Sequence, residues 1–304
     1  GLKFSEHLPK LAAMSDQLAI MRGLSTKEGD HGRGTYLMRT GHQPMGPVQF
    51  PTIGSSLSKH LAVEDTDMPA FVSISPFRQF NQAAYGPGFL GPKYAPLTVA
   101  DSAGAGAAET PTTGFAQLRV DDLTPAAGVK PSQVDARRRI WEKMESQFVS
   151  QHPSSATLAH QTVYQRAIRL MQSSAAECFD LTKEPDAIRE AYGKGRFGQG
   201  CLMARRLIEK GVSFVEVSLG GNGIGWDTHA NNFEQVKTLS GELDAGWSML
   251  MKDLADRGLL ESTTFLWMGE FGRTPKINPQ GGRDHFPAAW TTVLAGGGIK
   301  GGQA

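Results

Sequence analysis

Cysteine is nearly absent: Cys178 and Cys201 are the two in 304 residues. Both fall in helical patterns, and neither spacing fits a disulfide framework or a thiolate metal site. No apolar run approaches the roughly 18 residues that would span a bilayer as a helix. Neither sign of charge is in excess, with 31 Lys+Arg against 30 Asp+Glu and a formal net charge of +1. That balance excludes a strongly basic nucleic-acid binder and an acidic disordered tail. Gly1-Leu2-Lys3 brings no Met, charged region or apolar stretch, so an intact precursor is not expected, and any export signal would lie outside this sequence. The chain stops at Gly301-Gly302-Gln303-Ala304, just after a strand-like run, and is expected to be a piece cut at both ends.

What is present is glycine, 36 residues, and a hydrophobic fraction of 39 %, enough to bury a core. The length suits one large α/β domain or two small ones. Residues 5–14 read as a helix and Leu18-Ala19-Ile20-Met21 as a short buried strand. A glycine-rich loop from Ser25 to Gly34 leads to a helix over Thr35–Thr40, and Phe71-Val72-Ser73-Ile74 is a second strand. Between 77 and 128 the chain is rich in Pro, Gly, Ala and Thr, and Ala100–Gly114 has the composition of an exposed insertion. Next comes a helical block near 133–192. Ile140, Met144 and Phe148 repeat at i, i+4 and i+8, and a second helix runs from about Ser155 to Ser173.

The second half alternates. Phe197, Cys201, Ala204 and Ile208 mark a helix face closed by Gly211, and the strand Ser213–Leu219 follows. Phe233, Val236, Leu243, Trp247, Leu250 and Leu254 line a long helix, ended by Gly258. Thr263–Met268 and Trp290–Leu294 are the last strands. This spacing predicts a mostly parallel sheet covered by helices on both faces, with ligands just beyond the C-terminal strand ends.

Chemistry-bearing residues collect at those ends. Trp226-Asp227-Thr228-His229 follows one strand, Gly269-Glu270-Phe271-Gly272-Arg273 the next, and Gly282-Arg283-Asp284-His285 leads into the last. Taken alone, Asp227 reads as a helix cap and Asp284-His285 as a polar turn. Taken together, carboxylates and imidazoles without thiolate make a ligand mix for zinc, iron or manganese. Upstream, His31 and Thr35 lie in a strand-to-helix loop, where backbone N–H groups attract an oxyanion. His31 is open to three readings there: ligand, nucleophile or hydrogen-bonded loop histidine. Arg273 and Arg283 suit a phosphate or sulfate oxygen, or equally an ion pair to Glu270 or Asp284. Gly193-x-Gly195-x-x-Gly198 matches a dinucleotide fingerprint by spacing only, because a helical rather than a strand pattern precedes it.

Several stretches carry a resemblance: Glu6-His7-Leu8-Pro9, His31-Gly32 with Thr35-Tyr36-Leu37-Met38-Arg39-Thr40-Gly41-His42, Gly88-Phe89-Leu90-Gly91-Pro92, and the three strand-end motifs with Thr274-Pro275. In this order they resemble, over nearly the whole chain, the bacterial domain-of-unknown-function 1501 family. That family is abundant in planctomycetes and related to the alkaline phosphatase and sulfatase superfamily. The resemblance implies an alkaline-phosphatase-like three-layer α/β sandwich, one domain over 1–304, and a metal-dependent hydrolase of phosphate or sulfate esters. It implies two divalent ions, zinc foremost, clamping the transferred group. Asp227 and His229 would serve one ion, and Glu270, Asp284 and His285 the other. His31 falls where sulfatases keep the residue converted to formylglycine, and Thr35–Gly41 is similar to the stretch ending in Leu-Thr-Gly. His31 and Thr35 are thus the expected catalytic pair, with Arg273 and Arg283 binding substrate. No Cys-x-Pro-x-Arg is present, so the formylglycine mechanism itself is not implied. By the same resemblance, the superfamily's first strand with a metal-binding Asp would precede Gly1, and a late His ligand would follow Ala304. The expected partner is a small-molecule or carbohydrate ester, with no nucleic acid and no membrane span, in an exported or periplasmic setting. A second class of function, a carbohydrate- or surface-binding module that keeps the hydrolase fold, stands as the alternative.

Overall fold

The computed structural model describes residues 2–62, 66–101, 111, 113–220 and 225–304. In chain order the elements are α1 (Pro9–Ala13), β1 (Leu18–Leu24), α2 (His31–Thr40), α3 (Ile53–Leu61), β2 (Phe71–Ile74), β3 (Leu97–Asp101), β4 (Leu118–Arg119), α4 (Pro131–Gln151) and α5 (Ser155–Gln172). They continue with α6 (Asp186–Tyr192), α7 (Arg196–Glu209), β5 (Phe214–Val217), α8 (Asn232–Asp256), β6 (Thr264–Trp267), β7 (Gly272–Arg273), β8 (His285–Phe286) and β9 (Trp290–Gly296). The fold is mixed α/β, with several sheets and no barrel among the described residues.

The single mostly parallel sheet expected from the alternation is divided. One sheet has the order β4-β3-β2-β5, with β3, β2 and β5 parallel and β4 antiparallel at the edge. The other has the order β1-β9-β6, and both of its pairings are antiparallel. Parallel neighbours usually need a helical crossover, and between Trp267 and Trp290 the chain forms only the small β7–β8 hairpin. It therefore returns beside β6 in the opposite direction. β1 and β6, each antiparallel to β9, run the same way, so their C-terminal ends lie at one end of that sheet.

The core lies between helices and the parallel strands. Leu202, Met203 and Leu207 of α7 and Leu250, Met251 and Leu254 of α8 are buried with Val72, Ile74 and Val99. α7 comes close enough to the sheet that a Cβ on Gly200 would sit 2.8 Å from Val217 Cγ1. A side chain there would push the helix off the strands.

Three local expectations change. α2 begins at His31 rather than Thr35, because the Asp30 carboxylate accepts from Arg33 N at 3.0 Å and caps the helix four residues early. β3 lies inside the stretch that composition marks as loop, and Ala100 and Asp101 belong to it; of the expected insertion, residues 102–110 and 112 lie outside the described residues. So do residues 221–224 of the glycine loop after β5. The stripe Ile140-Met144-Phe148 is helical as its spacing predicts but faces outward, and α4 has no buried residue.

Candidate metal centre

The site assembles where loops leaving β1, β2, β5 and β6 meet. His31 is the first residue of α2 after β1, and its ring stacks on Phe80, beyond β2, with centroids 4.2 Å apart. Two glycines set this approach. A Cβ on Gly32 would fall 2.8 Å from Phe80 O, and one on Gly34 would fall 2.9 Å from the Phe271 ring. Asp227 and His229 follow β5 and lead into α8, and Glu270 follows β6. Residues 278–285 close the site by pairing with the 228–232 segment: Asn232 N donates to Gly281 O (3.1 Å) and Arg283 N to Thr228 O (2.9 Å). A Cβ on Gly282 would overlap His229 O at 1.9 Å, so only glycine permits that crossing.

The imidazoles share one orientation logic. His31 Nδ1 meets Glu270 Oε1 at 2.5 Å, His229 Nδ1 meets Asp284 Oδ1 at 3.0 Å, and His285 Nδ1 meets Gly29 O at 2.6 Å. An acceptor on Nδ1 assigns the proton to that nitrogen and leaves a lone pair on Nε2. All three Nε2 atoms converge on Asp227, His31 at 3.1 Å from Oδ2, His229 at 3.0 Å and His285 at 3.2 Å from Oδ1. His229 Nε2 and His285 Nε2 stand 3.1 Å apart. Two lone pairs at that separation beside a carboxylate repel unless a cation lies among them or one ring takes a second proton. The ligand atoms of His31, Asp227, His229 and His285 all lie within 4.8 Å of one another, and these four residues can hold a metal ion.

Asp227 is buried, which disfavours its charge, but the Arg273 guanidinium hydrogen-bonded to it, with His31 and His229 nearby, keeps its carboxyl below the usual range. The Asp284 carboxyl is also held low, by the Asn278 amide (3.0 Å) and by His229. His229 and Asp284 are the exposed members, at 44 % and 55 %, against 15 % for His31 and 21 % for Glu270. Access is from that side.

Over residues 1–304 the chain matches the family described as "Protein of unknown function (DUF1501)". The chain belongs to the DUF1501 family. No curated protein and no solved structure matches it.

All the residues singled out in this DUF1501 chain lie in or beside one neighbourhood, but they do not stand alike in it. Glu270 and Asp284 sit behind His31 and His229, on the Nδ1 side, while His31 points its Nε2 inward. Thr35 Oγ1 donates to Glu270 Oε2 at 2.7 Å. Arg273 pairs with Asp227, not with Glu270 or Asp284. Arg283 donates through Nη1 to Thr274 O at 2.5 Å and Pro275 O at 2.8 Å, which ties it to the hairpin backbone. Sequence reasoning missed Asn278, whose amide reaches both His229 O and Asp284 (3.0 Å each); an Asn-Pro step in a glycine-flanked turn was the available signal. It also missed Gly29 O and Phe80, for which the sequence offers no signal.

Proposed function

We propose that this chain carries the metal centre of a metal-dependent hydrolase acting on phosphate or sulfate esters, in the manner of the alkaline phosphatase and sulfatase superfamily. The observation that carries the reading is the convergence of three imidazole Nε2 lone pairs on the Asp227 carboxylate, each ring held from behind by an acceptor. Nitrogen-rich ligation with one carboxylate favours zinc, or iron or manganese, over magnesium and calcium, which prefer oxygen. Placement of the cluster beyond strand C-termini in both sheets supports the superfamily reading.

Such an ion supplies a Lewis acid and an activated water. The chain's own residues do the rest. His31, His229, His285 and Asp227 hold the ion, and Glu270, Asp284 and Gly29 O fix the rings. Arg273, with Asp227 as its anchor, presents cationic donors next to the centre, where a non-bridging ester oxygen gains charge-assisted hydrogen bonds. Phe80 and Phe271 wall off one side from water, and the His229–Asp284 side admits a small-molecule or carbohydrate ester.

Metal analysis of the purified chain, paired with turnover of chromogenic phosphate and sulfate esters, tests the reading. Stoichiometric zinc and turnover that Asp227→Ala abolishes are the expected results. Folded protein that takes up no metal and turns over neither ester overturns it and favours the binding module.

A further inference from the structure

The three rings of the metal reading differ in what holds them. His285 leans on a backbone carbonyl, which the fold itself fixes. His229 leans on Asp284, whose Oδ1 also takes the Asn278 amide. His31 leans on Glu270, whose other oxygen takes the Thr35 hydroxyl. His31 and Thr35 are four residues apart in α2, so a single carboxylate spans one turn of that helix. Both carboxylates thus have a second, neutral donor that fixes their rotation.

Glu270 has work that the aromatic rings cannot do. Phe80 stacks on His31 with an interplanar angle of 11°, and Phe271 lies at 5.5 Å. These contacts set the plane of the imidazole but do not distinguish nitrogen from carbon. A half-turn about Cβ–Cγ would keep the stacking and exchange Nε2 for Cε1 on the inner side. Two contacts tell nitrogen from carbon: Nδ1 to Glu270 at 2.5 Å, and Nε2 to Asp227 at 3.1 Å on the side where the ion would sit. Of the two, the Glu270 contact selects the productive face from behind the ring.

We infer that Glu270 is a positioning residue of the metal centre rather than one of its ligands, with Thr35 as the brace that holds it; this rests on the metal reading above. One carboxylate oxygen selects the His31 tautomer and ring face, and the other is occupied by Thr35. The Thr35 hydroxyl is committed as a donor to Glu270. Its place in the site is therefore support.

The test uses the full chain, its Glu270→Gln and Thr35→Val variants, and zinc titrated against a chromophoric chelator. In parallel, proton NMR follows the His31 Nδ1–H resonance, assigned by its loss in His31→Gln. Glu270→Gln is expected to weaken zinc about 10–100-fold, the usual cost of losing the partner behind a ligating histidine, and to shift that resonance out of the far-downfield region. Thr35→Val keeps Glu270 and is expected to weaken zinc in the same direction by less, with the metal-free melting temperature unchanged. Zinc affinity in Glu270→Gln within twofold of the parent, or a downfield resonance that neither variant moves, overturns the inference. A parent chain that takes up no zinc defeats the metal reading itself. The resonance in the metal-free variants then still decides whether Glu270 and Thr35 orient His31.

Discussion

Two charged clusters in this chain follow opposite logics. Around Arg205 on α7, guanidinium groups and carboxylates match one for one. Arg205 meets Glu184 (2.8 Å), Glu209 (2.9 Å) and Asp253 (3.1 Å); Arg206 also binds Glu184, and Arg257 binds Asp253 and Glu209. Tyr192 adds its hydroxyl to Asp253 at 2.9 Å. At the other cluster, Asp227, Glu270 and Asp284 face one guanidinium, Arg273, and three imidazoles whose outer nitrogens are spent. With neutral rings, Glu270 and Asp284 are left without a guanidinium partner among the described residues; water screens the exposed Asp284, whereas Glu270 is largely enclosed. A buried charge needs its partner close by. The first cluster contains all of its partners and the second asks for one from outside.

Removing the centre of each cluster should break the comparison most sharply. Asp227→Ala is expected to lower zinc affinity by more than about 100-fold and to abolish turnover, because the one carboxylate common to all three Nε2 atoms is gone. The fold should persist, as read by circular dichroism. Arg205→Ala should do the reverse. It removes the cation that Glu184, Glu209 and Asp253 share and leaves them only Arg206 and Arg257, at a cost near the lower end of about 3–5 kcal/mol in denaturant unfolding. Zinc taken up per folded molecule should stay the same. If Arg205→Ala lost zinc, or Asp227→Ala unfolded the chain, the contrast would fail.

Ligand linkage gives the next effect. Zinc at about 100 times its dissociation constant should stabilise the parent by about 2.7 kcal/mol and leave Asp227→Ala unmoved. Chelation should reverse the gain. Asp284→Asn is a smaller change of the same kind. The amide can still face His229 Nδ1, and the site is already open to water there, so the loss in zinc affinity should sit near the lower end of about 10–100-fold. A larger loss than in Glu270→Gln would reverse the order that exposure implies.

How much of this was legible in the sequence follows from what each residue depends on. The helices of the second half were readable because their apolar faces recur at helical spacing, as in Phe197, Cys201 and Ala204, all buried on α7. Phe233 breaks that pattern: it lies in the first turn of α8 and is 62 % exposed, while its neighbour Asn232 is the buried residue there. β1, β2, β5, β6 and β9 were readable as strands, but β3, inside a Pro- and Gly-rich stretch, was not, and neither were the strands' partners. The direction of β9 depends on what the 268–289 excursion does in space, and periodicity carries no trace of that. The site residues were visible as residue types at strand ends. Their arrangement was not, because facing Nδ1 or Nε2 toward the centre turns on contacts between segments such as Gly29 O and His285, 256 positions apart. The early start of α2 was recoverable from Asp30 as a cap, but the glycines at 29, 32 and 34 pointed to a loop instead.

The smallest effect is one of pH, and it separates the clusters again. Burial raises the Glu184 carboxyl, but its hydrogen bonds to Arg205 and Arg206 outweigh burial and leave it below the ordinary range. A carboxyl lowered on folding contributes its stability above the unfolded value and loses it as pH falls through the folded one. Glu184→Gln should therefore be less stable than the parent at neutral pH, and the gap should close as acid protonates the parent, read as urea midpoints from about pH 7 down to about pH 3. Acid acts on the metal centre by another route, because ligands must be deprotonated to bind and protons compete with the ion. Zinc-loaded parent should then lose its extra stability as protons displace the ion, and Glu184→Gln should lose that increment at the same pH. A shift of zinc release in Glu184→Gln would mean that the two clusters communicate, and that the self-paired network helps to hold the cation-seeking one.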